Sequence, residues 1–455
     1  MVARAARRER GIGYPARMPT HATFRRLALP VFALALLLQL PLALNPGYYS
    51  HDELQWAAFA QAGMPAGWTD PATFQYRPLT FATWMALSRA MFDTPMLFHA
   101  VLVAWGAANA TLLALVGRGF GLARQVTLAG ALAFVLTPYA AYTHGWVGCI
   151  ADLLWVSCAL VLALAVQHLR AAWQVGLLAA VLTGAGLLAK EAAFAIPPLL
   201  LVAAVFDGAR RHRWAIAMLV ATAVCAVYLG LRLDVLLHAP REGAQYTLSA
   251  WNAPLRWFEY QVFAPIPPLM EAFPVLQRPA PVLVAAALWL ALVAALWRAC
   301  GRCAALFLLG GIAALLPVLP LGASWNHYAY GFSAVACMAV AAAWPRATRG
   351  GRLAIGGFAL LTCLHGAVVM ARMHQVGRIQ SVFSPALAAA LAARPADATL
   401  ALRLDRDAKP WVFQRLTHQI PSYAGVPIGT RVRLVDGAAP ADYRIAADGR
   451  LIALR

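Results

Sequence analysis

The sequence predicts an all-α polytopic membrane protein with a small soluble α/β domain at its C-terminal end. Three observations carry that prediction. The 455 residues are 62% hydrophobic and 12% charged, with a mean hydropathy of +0.66, whereas soluble domains carry about 25% charged residues. Apolar runs of roughly 18 residues recur along most of the chain, the length a helix needs to cross the hydrocarbon core of a bilayer. From about residue 375 to 455 the composition becomes that of an ordinary soluble segment.

Eleven spans are expected, over 27–44, 96–116, 125–142, 146–167, 174–189, 192–206, 214–233, 281–297, 304–322, 328–344 and 353–371. The first follows a basic stretch (Arg4, Arg7, Arg8, Arg10, Arg25, Arg26). Its apolar run is long for a signal peptide, and Ala43-Leu44-Asn45 is a poor cleavage site, so it reads as an uncleaved span. The formal charge is +19, and nearly all the cations are arginine, with lysine only at 190 and 409. A basic balance can mark nucleic-acid binding. Here the arginines sit in short loops between apolar runs, as Arg118/Arg124, Arg210/Arg211/Arg213, Arg298/Arg302 and Arg346/Arg349/Arg352. That pattern sets orientation in a membrane, and no nucleic-acid partner is expected. All of these clusters fall on the side of the N-terminus, which places 1–26 in the cytoplasm. The loops 45–95 and 234–280 and the domain 375–455 then lie on the outer, periplasmic side of a bacterial inner membrane. The membrane domain proper is 27–372.

The first outer loop carries two amphipathic helical patterns, one holding Trp56, Phe59, Ala60 and Gly63 and one over about 79–92, both read as interfacial helices. Loop 234–280 is proline-rich. In the C-terminal region a helix is expected near 382–393 and strands near 398–404, 430–435, 441–446 and 450–454. Asp448-Gly449 marks a hairpin turn between the last two. Seven cysteines suggest no disulfide frame, and Cys300-x-x-Cys303 lacks a second pair that would make a metal site. No metal or other cofactor is expected.

The candidate chemistry begins at Ser50-His51-Asp52-Glu53, directly after the first span. Ser50-x-x-Glu53 is a capping box. Asp52 falls in the first turn, where the helix dipole favours the ionised carboxylate and suits it to act as a general base. Other ionisable groups gather on the same expected side: Asp152 one turn into a span, Lys190-Glu191 at a helix junction, Arg232 at the end of a span, and His327 before another. Ionisable groups at such positions are functional candidates, and a carboxylate base with several cations can activate a hydroxyl and stabilise a departing phosphate. Snorkelling to the interface is the competing role for Lys190 and Glu191.

In family order, Asp52-Glu53, Tyr76-Arg77-Pro78-Leu79, Phe98-His99, Ala108-Asn109-Ala110, Trp146 with Asp152-Leu153-Leu154, Leu188-Ala189-Lys190-Glu191 and His327-Tyr328-Ala329-Tyr330 with Ser333 resemble the motifs of the GT-C glycosyltransferases. The resemblance is to their bacterial protein O-mannosyltransferase-like branch, the glycosyltransferase 39-type enzymes related to TPR-containing O-mannosyltransferases, and it runs from about 45 to 345. The chain departs from that pattern at Ile150 and His327, where the family has arginine, and at Phe332, where it has proline, and it lacks the TPR array. The resemblance implies a polyprenyl-phosphate sugar donor and transfer, with inversion, to a hydroxyl of a protein, lipid or glycan acceptor. Asp52 and Glu53 would be the catalytic pair, with Asp52 as the base. Arg77, Lys190 and His327, with Tyr328 and Arg232 beside them, would hold the donor. Asp152 and Glu191 would orient the acceptor or these cations. A flippase for a lipid-linked sugar and a degenerate, non-catalytic binding or scaffold protein remain the alternatives.

Overall fold

A computed structural model describes residues 21–63, 65–241, 243–437 and 439–454. Of the basic region expected at 1–26, only residues 21–26 are among them. The chain begins with α1 (His21–Leu38) and the single turn α2 (Leu40–Ala43), followed by α3 (His51–Ala62) and α4 (Pro78–Met91). The bundle continues through α5 (Pro95–Gly119), α6 (Arg124–Val135), α7 (Pro138–Gly145), α8 (Ile150–His168) and α9 (Ala172–Ala189). After these come α10 (Ile196–Phe206), α11 (Arg211–His238), α12 (Ala253–Phe263), α13 (Pro279–Ala299) and α14 (Gly301–Ala305). A π-helical stretch, Leu306–Gly310, leads into α15 (Gly311–Leu315), then α16 (Tyr330–Ala343) and the long rod α17 (Arg349–Ala392). Helices α4, α5, α7 and α13 open on proline, whose missing N–H costs nothing at the first helical position.

Among the described residues, seven helical stretches are long and apolar enough to cross a membrane, or up to eight if the bent pair α6–α7 is one span, so the protein is a multi-pass membrane protein. The expected count of eleven is corrected by length and straightness rather than by composition. The runs read as spans at 27–44, 192–206 and 304–322 are helical, but their apolar stretches, Arg26–Leu38, Glu191–Phe206 and Gly301–Leu315, are too short. In the first, the helix breaks at Gln39, which leaves helical geometry. In the second, Lys190 is fully extended (φ −165°, ψ 143°) and separates α9 from the turn at Glu191–Ala195. The third is interrupted by the π-helical stretch. The run 125–142 bends by 60°, because Pro138 forces Thr137 into extended backbone (ψ 151°).

Lipid is as apolar as leucine, so helices in a membrane are held together by close packing and by hydrogen bonds rather than by burial from water. This bundle has such a bonded chain at its centre. Gln39 donates through Nε2 to the Val135 carbonyl (2.7 Å), and its Oε1 meets His144 Nδ1 (2.7 Å). The other nitrogen of His144 meets the Tyr330 hydroxyl (2.8 Å), which accepts from Asn109 Nδ2 (3.3 Å). Ser157 donates to Asn109 Oδ1 (2.6 Å) and accepts from Trp105 Nε1 (2.9 Å). One network thus ties the α1–α2 break to α5, α7, α8 and α16. Gly106 lets α5 pass the His144 ring, which a Cβ at that position would strike.

The C-terminal region holds β1 (Leu400–Leu404), α18 (Pro410–Thr417), β2 (Ser422–Tyr423), β3 (Val426–Pro427), β4 (Val432–Val435), β5 (Tyr443–Ile445) and β6 (Leu451–Ala453). Strand β1 lies between β4 and β5 and runs parallel to both, and β6 closes the sheet antiparallel to β5 in the order β4-β1-β5-β6. The β5–β6 turn needs Gly449, at φ +93°. The helix expected near 382–393 is the far end of α17, so the last apolar helix and the helix of the soluble domain are one continuous rod. Helix α18 has no counterpart in the expected elements. It buries Val412, Phe413 and Leu416 and packs Phe413 against Phe383 of α17, ring to ring at 5.1 Å. That contact joins the domain to the bundle.

Candidate active site

Segment 45–50 carries the chain from α2 to α3, and α17 fixes its path. A Cβ on Gly47 would strike the Gly377 carbonyl, and one on Gly377 would strike the Asn45 side chain. Asn45 Nδ2 donates to the Met373 carbonyl (3.3 Å), and the Tyr48 N–H donates to Gln380 Oε1 (2.9 Å). His99 of α5 meets the Gly47 carbonyl (2.9 Å), and the Tyr48 hydroxyl donates to the Phe92 carbonyl (2.6 Å). A segment held at this many points delivers Tyr49 and the acidic pair to a fixed place at the end of the bundle that meets the C-terminal domain.

The two carboxylates then part in role. Glu53 is buried and accepts the Ser50 N–H (2.9 Å), which is the capping contact. Burial, with the neighbouring Asp52 charge, pushes its carboxyl up to about 8, so it is largely protonated at neutral pH. Asp52 is half-buried, with His51 Nε2 3.3 Å from its Oδ1. Burial raises its affinity for a proton, while His51, Arg415 and His418 oppose that shift. Burial holds His51 below its ordinary value; it is therefore a neutral ring able to donate to Asp52. Of the pair, Asp52 has the exposure and the cationic company of a proton acceptor. The interfacial reading of α3 and α4 meets a different packing: Trp56 of α3 is buried against Trp84 and Phe81 of α4.

The C-terminal domain supplies Arg415 and His418, both absent from the candidates drawn from sequence. Arg415 Nη2 donates to Glu271 Oε1 (3.1 Å), and its guanidinium lies over the Tyr49 ring at 4.8 Å. The His418 ring meets His51 edge-on at 5.2 Å. Glu271 is itself positioned, because Asn326 accepts the Ala272 N–H (2.8 Å) and donates to the Met270 carbonyl (2.9 Å). His365 of α17 meets the carbonyls of Ala264 and Leu269 at 2.9 and 2.7 Å.

Most of the other candidates gather nearby. Lys190 Nζ and Asp152 Oδ2 form a buried ion pair at 2.6 Å, and Lys190 lies over the Tyr328 ring at 4.8 Å. Arg77 donates through Nε and Nη2 to one oxygen of Glu191, at 3.0 and 2.8 Å. His327 packs edge-on to Tyr328, with ring centres 4.4 Å apart. Arg232 is engaged elsewhere: its guanidinium donates to the carbonyls of Pro71, Thr73 and Phe74 and faces the ring of Tyr76. It pins the loop before α4, and through that loop Arg77.

An aromatic group bridges the Asp52 end to the Lys190 end. Tyr49 and Tyr142 are both fully buried, with ring centres 5.8 Å apart. Trp146 lies 5.4 Å from Tyr142 and 5.5 Å from His327, and Tyr142 stacks on His327 at 6.3 Å. Arg415 is hydrogen-bonded among the hydroxyls of Tyr49 and Tyr142, which also meet each other, while Trp146 Nε1 and His327 Nδ1 are buried and make no hydrogen bond within the protein. Sequence reasoning named only His327 and Trp146 of these five residues. Tyr49 and Tyr142 carried a weak signal, as aromatics beside a named motif. Arg415 carried none, lying far along the chain in an otherwise ordinary amphipathic helix.

Among the described residues, no group of three or more His, Cys, Asp or Glu side chains is arranged to hold a metal ion. Cys300 and Cys303, which did not read as a disulfide, are bonded to one another. An apolar cavity of about 460 Å³ lies among α6, α12, α16 and α17, with Tyr139, Tyr260, Phe332, Ala336 and Phe358 in its wall. Helix α7 carries Tyr139 toward this cavity and Tyr142 toward the aromatic group. The chain matches no family model, and no curated protein or solved structure matches it.

Proposed function

We propose that the protein is a membrane glycosyltransferase that takes a sugar from a polyprenyl-phosphate-linked donor and passes it, with inversion, to a hydroxyl acceptor at the outer face of a bacterial inner membrane. The observation that carries the reading is the placement of Asp52. It is a half-buried carboxylate with the neutral His51 ring 3.3 Å away, at the rim of a polar aromatic site and on a segment locked to the bundle. Such a group can take the proton of an acceptor hydroxyl as that oxygen attacks the anomeric carbon. Three further features support the reading. The buried Lys190–Asp152 and Arg77–Glu191 pairs bring two cations to the far side of the aromatic group, where a leaving phosphate would lie. The apolar cavity has the character needed by a polyprenyl tail. The motif order resembles that of the GT-C enzymes. In this reading the C-terminal domain, packed beside Asp52, is periplasmic.

One observation favours a second reading, a non-catalytic binder of the lipid-linked sugar: both Lys190 and Arg77 already have carboxylate partners. Profiling the envelope glycans and lipids of a deletion strain separates the two. Loss of a glycan modification that returns with the wild-type gene but not with Asp52→Asn supports transfer. Equal rescue by both genes removes Asp52 from the chemistry.

A further inference from the structure

We infer that the C-terminal domain takes part in the active site: Arg415 and His418, at the end of α18, are positioning residues that grip Tyr49 and His51 and so aim Asp52. The geometry starts at Ser50. Its backbone is extended (φ −137°, ψ 169°), and the side chains on either side of an extended residue leave the chain in the same direction. Tyr49 and His51 therefore present one edge, and Asp52 follows in the first turn of α3. Opposite them, Arg415 and His418 stand three residues apart, a spacing that brings two side chains to one face of a helix. Helix α18 ends at Thr417, with His418 directly after it. The two pairs meet in register. The Arg415 guanidinium lies over the Tyr49 ring at 4.8 Å, and the His418 ring meets the His51 ring edge-on at 5.2 Å.

Each half of the grip is held from behind. Arg415 also donates to Glu271 Oε1 (3.1 Å) and is hydrogen-bonded among the hydroxyls of Tyr49 and Tyr142. A planar guanidinium with its fork of N–H donors serves several partners at once, which a lysine ammonium does not do in the same plane. On the other side, Gln55, one turn after His51 in α3, donates to the Gln419 carbonyl (3.0 Å). Gln419 holds φ +51°, in the left-handed region. Residues other than glycine take that conformation where their surroundings impose it, and such residues gather at functional sites. Farther along, Tyr423 packs its ring on Phe92 at 6.3 Å. One line of contacts then crosses the domain boundary, from His418 to His51 and from His51 Nε2 to the Asp52 carboxylate at 3.3 Å. Phe413 against Phe383 already joins the two domains. Contacts made only to join them could fall anywhere, whereas these two fall on the residues three and one before Asp52. A proton transfer tolerates little misplacement, since a shift of about 1 Å can cost on the order of 100-fold in rate. The catalytic role of the grip rests on the transfer reading; the grip itself does not.

The test reads the grip without turnover, by solid-state NMR on the full chain in lipid bilayers. Histidine carries 15N in its ring and aspartate carries 13C at Cγ. Rotational-echo dephasing between the two labels reports the His51–Asp52 separation, as the part of the signal that both Asp52→Asn and His51→Gln remove. His418 is exposed, so its variants should melt with the wild type, and this keeps the test readable if Arg415 variants fold poorly. His418→Ala should lose most of that dephasing and lower kcat roughly 10- to 100-fold with KM unchanged. His418→Phe, which returns a ring edge to His51, should rescue both. Arg415→Lys, which keeps the charge and loses the planar fork, should lose dephasing as His418→Ala does. Two results would overturn the proposal. Wild-type dephasing in His418→Ala, or in a folded Arg415→Lys protein, would make the contact incidental. A His418→Phe protein as slow as His418→Ala would make His418 a proton carrier rather than a positioning residue. Dephasing that depends on His418 in a protein that never transfers a sugar would leave the grip standing and sink the transfer reading alone.

Discussion

At Glu53 a carboxyl is held in a place where its charge is costly, and the result is measurable. Burial and the Asp52 charge raise it from an ordinary 4.5 to about 8. Between those two values the folded protein holds a proton that the unfolded chain releases, so stability falls as pH rises through that window and levels off above it. Thermal unfolding between pH 5 and 9 should show this slope in the wild type and a flatter profile in Glu53→Gln, which keeps an oxygen for the Ser50 N–H. An equal slope in both would assign the dependence to another group. Ser50-x-x-Glu53 announced the cap in the sequence, because a capping box is a local pattern. Which of two adjacent acids would stay charged was not legible, since that depends on packing against residues far along the chain. The same holds for Arg232, whose position at a helix end suggested a ligand-facing cation and whose partners are three backbone carbonyls.

The elements show why the breaks matter more than the spans. Lys190 reaches Asp152 because α9 ends in extended backbone at that residue, turning its side chain back onto α8. Removing one partner of such a buried pair typically costs about 3–5 kcal/mol, while replacing both by apolar groups is often neutral. Asp152→Asn should therefore lower the melting temperature sharply, and Asp152→Leu combined with Lys190→Met should recover most of it. A double variant as unstable as the single would mean that the site needs the charges for its fold. At the 45–50 segment, Gly47→Ala places a methyl against the Gly377 carbonyl. It should destabilise the protein and displace the Asp52 carboxylate, losing whatever activity Asp52→Asn loses. Hydropathy located every apolar helix, since composition alone reports it. It overcounted the crossings because composition does not report where Gln39, Pro138, Lys190 or a π-helical stretch interrupts a helix.

For the whole molecule, the sheet, its hairpin turn and the membrane class were legible, being written in alternation, a single glycine and twenty-residue apolar runs. The union of the two domains was not. It rests on Phe413 against Phe383 and on Arg415 against Glu271, contacts between segments whose sequences say nothing of one another. The proposed orientation places both the C-terminal domain and Asp52 outside. With native cysteines replaced, a membrane-impermeant thiol reagent should label Asp448→Cys in intact cells and Ala123→Cys, one span away from Asp52, only after permeabilisation; the reverse pattern would put the site in the cytoplasm. The central claim is that Asp52 is the base of a sugar transfer. Purified protein given a labelled polyprenyl-phosphate sugar and hydroxyl acceptors tests it directly. The wild type should release the polyprenyl phosphate and label an acceptor, and Asp52→Asn should fold normally, bind the donor and turn over roughly 100- to 10,000-fold more slowly. Undiminished turnover by a folded Asp52→Asn protein would contradict the account.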